Sequence, residues 1–82
     1  MQNRKLVKRE QDLSEAVSVL KNCTEIAIDT ESNGLYAYRE RVCLIQIATT
    51  DQSFIIDTLS IQDMSPLHDI LSDQNVLKII HG

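Results

Sequence analysis

The stretch Ile26-Ala27-Ile28-Asp29-Thr30-Glu31 decides how the rest of the chain is read. Branched apolar residues lead directly into two acids, the pattern of a buried strand that stops at the edge of a sheet. Side chains alternate along a strand, so Ile26 and Ile28 are expected on one face and Ala27, Asp29 and Glu31 on the other. Two carboxylates separated by one residue then lie roughly 6–7 Å apart along the strand. Each disfavours ionisation of the other, so a site that keeps them together needs a cation or a shared proton. A hard divalent ion such as Mg²⁺, bound by one or two carboxylates and by substrate phosphate, suits this donor set.

On the C-terminal side of the acids, Ser32-Asn33-Gly34 is a turn cluster. The connection through Leu35-Tyr36-Ala37-Tyr38 and Arg39-Glu40-Arg41 is expected to bring two tyrosines and two arginines close to the acidic pair. Val42 to Thr49 is a second strand, apolar on both faces except at Gln46. Thr50-Asp51-Gln52-Ser53 has the length of a hairpin loop, and Phe54 to Asp57 is a third strand, antiparallel to the second. Ser65-Pro66 starts a helix as cap and first helical residue, with Leu67, Ile70 and Leu71 as its apolar face and an end near Ser72-Asp73. Val76 to Ile80 is a fourth strand, and a strand reached through a helix runs parallel to an earlier one.

On the N-terminal side, Asp12 is expected as a helix N-cap with Glu15 completing a capping box. Leu13, Ala16, Val17 and Leu20 supply one apolar stripe, so the helix is placed at 13–21. Residues 5–8 form a short edge strand, and Arg4, Lys5, Lys8 and Arg9 make it a solvated one. His68 sits on a helix and is expected in solvent.

The chain has 82 residues, enough for one small domain. Of these 43 % are hydrophobic, Trp is absent and only two Tyr and one Phe occur, so the core is aliphatic. A net charge of −4 excludes nucleic-acid binding by bulk electrostatics but leaves binding through metal ions open. Cys23 and Cys43 have no zinc-ligand spacing and are read as two reduced cysteines in or near the core, with one disulfide between them as the alternative. No apolar run is long enough to span a membrane and no signal core follows the basic start, so no membrane contact and a cytoplasmic setting are expected. A mixed sheet with strands apolar on both faces calls for helices on both sides. Only two short helices are present in the pattern, which marks residues 1–82 as the N-terminal part of a larger domain.

Asp-x-Glu alone is a weak signal. Its context carries more weight: an acidic strand end, a glycine turn at once, then an antiparallel hairpin. A phosphatase-like fold places a helix after the acidic strand, and a dinucleotide fold needs a Gly-rich turn directly into a helix. Neither is seen.

Taken in order, Ile26-Ala-Ile-Asp-Thr-Glu31, Ser-Asn-Gly-Leu35, Val42-Cys-Leu-Ile-Gln-Ile-Ala48, Phe54-Ile-Ile-Asp57 and Lys78-Ile-Ile-His-Gly82 closely resemble the opening of a ribonuclease D-type 3′–5′ exonuclease domain of the DEDD group. The resemblance covers nearly the whole chain. It implies an α/β, ribonuclease H-like fold: a mixed sheet flanked by helices, here incomplete at its C-terminus. It maps the first metal-binding motif onto Asp29 and Glu31, which would bind two Mg²⁺ or Mn²⁺ ions. It implies two-metal hydrolysis of a terminal phosphodiester, with Asp29 bridging the ions and Glu31 holding the nucleophile-side one. Leu35 matches the residue that wedges against the terminal base, though a loop-anchoring leucine is an equal reading. His81-Gly82 opens the second motif, whose Asp is absent, as is the whole third motif with its Tyr and last Asp. The partner implied is nucleic acid, RNA in preference to DNA. With two of four carboxylates, the 82 residues alone are expected to be inactive. The competing readings are an exonuclease-like module that binds RNA or a protein without catalysis, and an ordinary α/β domain with incidental acids.

Overall fold

The computed structural model describes residues 3–32 and 42–81; for Asn3, Glu31, Ser32, Val42, Cys43 and His81 it describes the backbone only. The elements in chain order are β1 (Asn3–Val7), α1 (Glu10–Leu20), β2 (Glu25–Ser32), β3 (Val42–Ala48), β4 (Gln52–Asp57), α2 (Ser65–Ser72) and β5 (Leu77–His81). The five strands form one sheet in the order β1-β4-β3-β2-β5. The β2–β3 and β3–β4 pairs are antiparallel, and the β1–β4 and β2–β5 pairs are parallel. Only β3 therefore runs against the others, and the carboxyl ends of β1, β2, β4 and β5 share one edge of the sheet. This is the mixed, helix-flanked α/β sheet that the resemblance implies.

Alternation decides what lies beneath the helices. Ile26 and Ile28 of β2, Ile47 of β3, Phe54 and Ile56 of β4 and Val7 of β1 are all buried on one face. The register agrees, with Ile28 opposite Ile47 and Ile47 opposite Phe54. Leu13, Ala16 and Leu20 of α1 and Leu67 and Ile70 of α2 pack into the same cluster, and the helices touch each other. Both helices thus cover one face. The other face carries Leu6, Ala27, Asp29, Gln46, Ala48, Ile55, Leu77 and Ile79, and no helix among the described residues lies on it. Leu6 and Leu77 remain 56 % and 60 % exposed there.

The helix starts differ from the sequence expectation. Asp12 is not the N-cap of α1: Arg9 is, in extended conformation, and the helix begins at Glu10. Arg9 makes no side-chain cap to the backbone. Instead its Nε and one terminal nitrogen donate to the Asp12 carboxylate, at 3.0 and 3.2 Å. Glu10 and Asp12 place negative charge in the first turn, where exposed N–H groups favour it. The acid therefore acts inside the first turn rather than before it. In α2 the N-cap is Met64, so Ser65 and Pro66 are the first two helical residues rather than cap and first. Asp63 does the polar work: its Oδ1 accepts from the Ser65 N–H at 3.0 Å and the Ser65 hydroxyl at 2.6 Å.

The strand expectations hold more closely. The β3–β4 connection is closed by the Thr49 N–H donating to the Gln52 carbonyl at 2.8 Å. β1 is an edge strand, and Arg4, Lys5, Lys8 and Arg9 are exposed. Cys23 is a free thiol, and His68 is exposed on α2. Cys43's side chain, the two tyrosines, Arg39 and Arg41 lie outside the described residues.

Candidate metal and catalytic site

Asp29 sits near the carboxyl end of β2, a strand hydrogen-bonded on both sides, to β3 and to β5. Two ladders hold its backbone, so the carboxylate projects from a rigid element, as a preorganised site requires. Ile28, one residue earlier, is 5 % exposed on the helix-covered face. Alternation therefore places Asp29 on the open face, where its side chain is exposed. In the sheet it lies between His81 of β5 and Gln46 of β3.

Glu31 is also a residue of β2 and pairs with Leu44 of β3. The register from Ala27 to Glu31 is unbroken, and the irregularity falls between Glu31 and Ser32. The two acidic positions are thus two residues apart on one regular strand. The side chain of Glu31 lies outside the described residues, as do Leu35 and Gly82. His81 is the last residue of β5, directly beside Asp29 in the backbone register.

Among the described side chains, no three His, Cys, Asp or Glu groups are gathered for a metal ion. Asp29 nevertheless has the right chemistry for a hard cation: a charged oxygen donor, solvent-accessible, on a fixed strand. Asp57, which ends β4 on the same edge of the sheet, is committed elsewhere. Its carboxylate accepts from the Ser60 hydroxyl at 2.9 Å and the Leu59 N–H at 3.1 Å. The Ser60 hydroxyl bond, with the Leu59 and Ser60 N–H groups and the nearby Lys8 charge, holds this carboxyl below the usual aspartate range. It braces the turn after β4.

The sequence singled out Asp29 and Glu31 from alternation, from the turn and hairpin that follow them and from the family resemblance, and the strand that carries them is present. It noted Gln46 only as the polar exception in β3. Its place opposite Asp29 depends on a register set across the 33–41 connection, whose length no hairpin rule determines.

The 3′–5′ exonuclease family matches this chain over residues 5–82. Ribonuclease D of Desulfotalea psychrophila is 35 % identical over 82 residues, which is 99 % of this chain and 22 % of that protein. Human exosome complex component 10 is 39 % identical over 72 residues, 87 % of this chain and 8 % of that protein. The crystal structure of Escherichia coli RNase D, described as an exoribonuclease involved in structured RNA processing, superposes with a TM-score of 0.88 at 30 % identity, covering 98 % of this chain and 21 % of that one. The chain therefore spans less than a quarter of the length of these relatives.

Proposed function

The chain belongs to the 3′–5′ exonuclease family, and on that premise we propose that residues 1–82 are the N-terminal part of a metal-dependent exonuclease domain that hydrolyses the terminal phosphodiester of RNA. The observation that carries this reading is the exposed Asp29 on a doubly paired strand, with Glu31 two residues further along the same regular register. The relatives' names, ribonuclease D and an exosome component, support RNA over DNA as the substrate. A cytoplasmic setting remains part of the proposal; no described helix is long and apolar enough to cross a membrane.

Asp29 and Glu31 would hold Mg²⁺ or Mn²⁺, two ions in the complete domain. When bound, such ions supply positive charge at the scissile phosphate and make an attacking water more acidic. The chain's own contribution is positional. Strand β2 fixes the two acidic positions relative to each other, and the sheet edge leaves Asp29 open to a nucleic-acid end. Leu35 is assigned the contact with the terminal base. The intact acids favour catalysis over a purely binding module, because a module without chemistry has no need for two acidic positions two residues apart on a rigid strand.

The test uses the complete domain. Asp29→Asn and Glu31→Gln should each abolish Mg²⁺-dependent release of nucleotides from the 3′ end of a single-stranded RNA, with the melting temperature unchanged. Wild-type activity in either variant would overturn the assignment. The 82 residues alone should release nothing, since the remaining ligands lie outside them.

A further inference from the structure

We propose that Lys8 is a substrate-binding residue, its ammonium taking a backbone phosphate of the RNA a few nucleotides upstream of the 3′ end held at Asp29 and Glu31. This rests on the reading of those two acids as the metal site.

The strand register fixes where Lys8 stands. Val7 pairs with Ile56, so Lys8, one residue past the end of β1, comes beside Asp57, the last residue of β4. Asp57 pairs with Leu44, and Leu44 with Glu31. These four positions form one row across the carboxyl edge of the sheet. Val7 and Ile56 are buried on the helix-covered face, which puts Lys8 and Asp57 on the open face with Asp29. The Asp57 carboxyl, lowered chiefly by the Ser60 hydroxyl, also feels the Lys8 charge, in agreement with that placement.

The other described cations are engaged or distant. Arg9 is held by Asp12 at 3.0 Å, and the Lys78 ammonium donates to the Asp73 carbonyl. Lys5 pairs with Phe54 on the helix-covered face, and Arg4 pairs with Ser53 nearer the amino end of its strand. Lys21 caps the far end of α1, which returns the chain to the start of β2. Lys8 is exposed and makes no hydrogen bond or ion pair with another described residue. Asp57 does not hold it, because that carboxylate accepts from Ser60 and Leu59.

The spacing suits a nucleic-acid strand that starts at the acids. Neighbouring strands lie about 4.8 Å apart, so three spacings put Lys8 roughly 14 Å from the Glu31 position. Phosphates advance about 3.4 Å per nucleotide in a stacked strand and further in an extended one, so Lys8 meets a phosphate about two to four nucleotides from the end. The chain carries a net charge of −4, and the acidic positions themselves repel RNA. A single free cation at this distance offsets part of that repulsion without competing for the metal ions.

The experiment measures release of nucleotides by the complete domain from the 3′ end of a single-stranded RNA dodecamer and from a dinucleotide. On the dodecamer, Lys8→Ala should raise KM about 2- to 5-fold with kcat kept, and should make the salt dependence of log kcat/KM shallower by about 0.7. Lys8→Arg should restore both, and Lys21→Ala should change neither. On the dinucleotide, whose one phosphate lies at the metal site, the Lys8→Ala effect should vanish. An unchanged KM and salt slope on the dodecamer would overturn this inference alone. So would an equal loss on both substrates, or a raised KM with the salt slope unaltered. If Asp29→Asn and Glu31→Gln release nucleotides like the wild type, the functional reading fails and this inference goes with it.

Discussion

Asp63, Asp57 and Asp12 show how acids at the surface serve the fold. Each of the three is held below the usual aspartate range, chiefly by a side-chain hydrogen bond: from Ser65 to Asp63, from Ser60 to Asp57, and from Arg9 to Asp12. A carboxyl whose pKa is lower in the folded state adds stability above its unfolded pKa, about 3.9, and loses it as pH falls through the folded value. The melting temperature should therefore be insensitive to these acids above about pH 5 and fall at lower pH. Asp63→Asn should make that fall shallower in a pH series of thermal melts; an unchanged slope would remove Asp63 from the account. At this scale the sequence placed Asp29 on the face opposite Ile28, because strand alternation is a local rule. It did not expose the role of Asp63, because a residue just before the cap shows its function only once the helix start is placed.

Among the elements, α1 earns its place through one stripe. Leu13, Ala16 and Leu20 are buried at helical spacing, and Leu13 and Leu20 show no exposed surface. Leu20 closes the last turn, where the Cys23 N–H donates to its carbonyl at 3.0 Å. Leu20→Ala should cost about 2–5 kcal/mol through lost burial and the cavity left behind, measured by urea denaturation; a cost under about 1 kcal/mol would mean the core closes over the gap. The stripe was legible from spacing, yet the start was misplaced by a few residues. Asp12 with Glu15 fits a capping box, but Arg9 with Asp12 has the same three-residue spacing, and a charged pair at 3.0 Å draws the helix start back to Glu10. In α2 the lysine after it assists: the Lys78 ammonium donates to the Asp73 carbonyl and ties β5 to the helix end.

At the scale of the molecule, the helices cover one side of the sheet and leave the other open among the described residues. Leu6, Leu77 and Ile79 are 56 %, 60 % and 41 % exposed on that side. They lie on the two edge strands, β1 and β5, and apolar side chains left uncovered on a sheet face favour association. The isolated 82 residues should therefore self-associate as concentration rises, and Leu6→Lys with Leu77→Lys should suppress this in light scattering without lowering the melting temperature. Monodisperse wild-type chain at high concentration would contradict the prediction. By itself the sequence determined the hairpin, the apolar stripes of the helices and the place of the two acidic positions at the end of β2, because each depends on periodicity or turn chemistry over a few residues. Only the tertiary structure decided the strand order, the gathering of both helices on one face and the pairing of Gln46 with Asp29. Those depend on contacts between residues distant in the chain, which a local pattern permits in several arrangements and packing reduces to one.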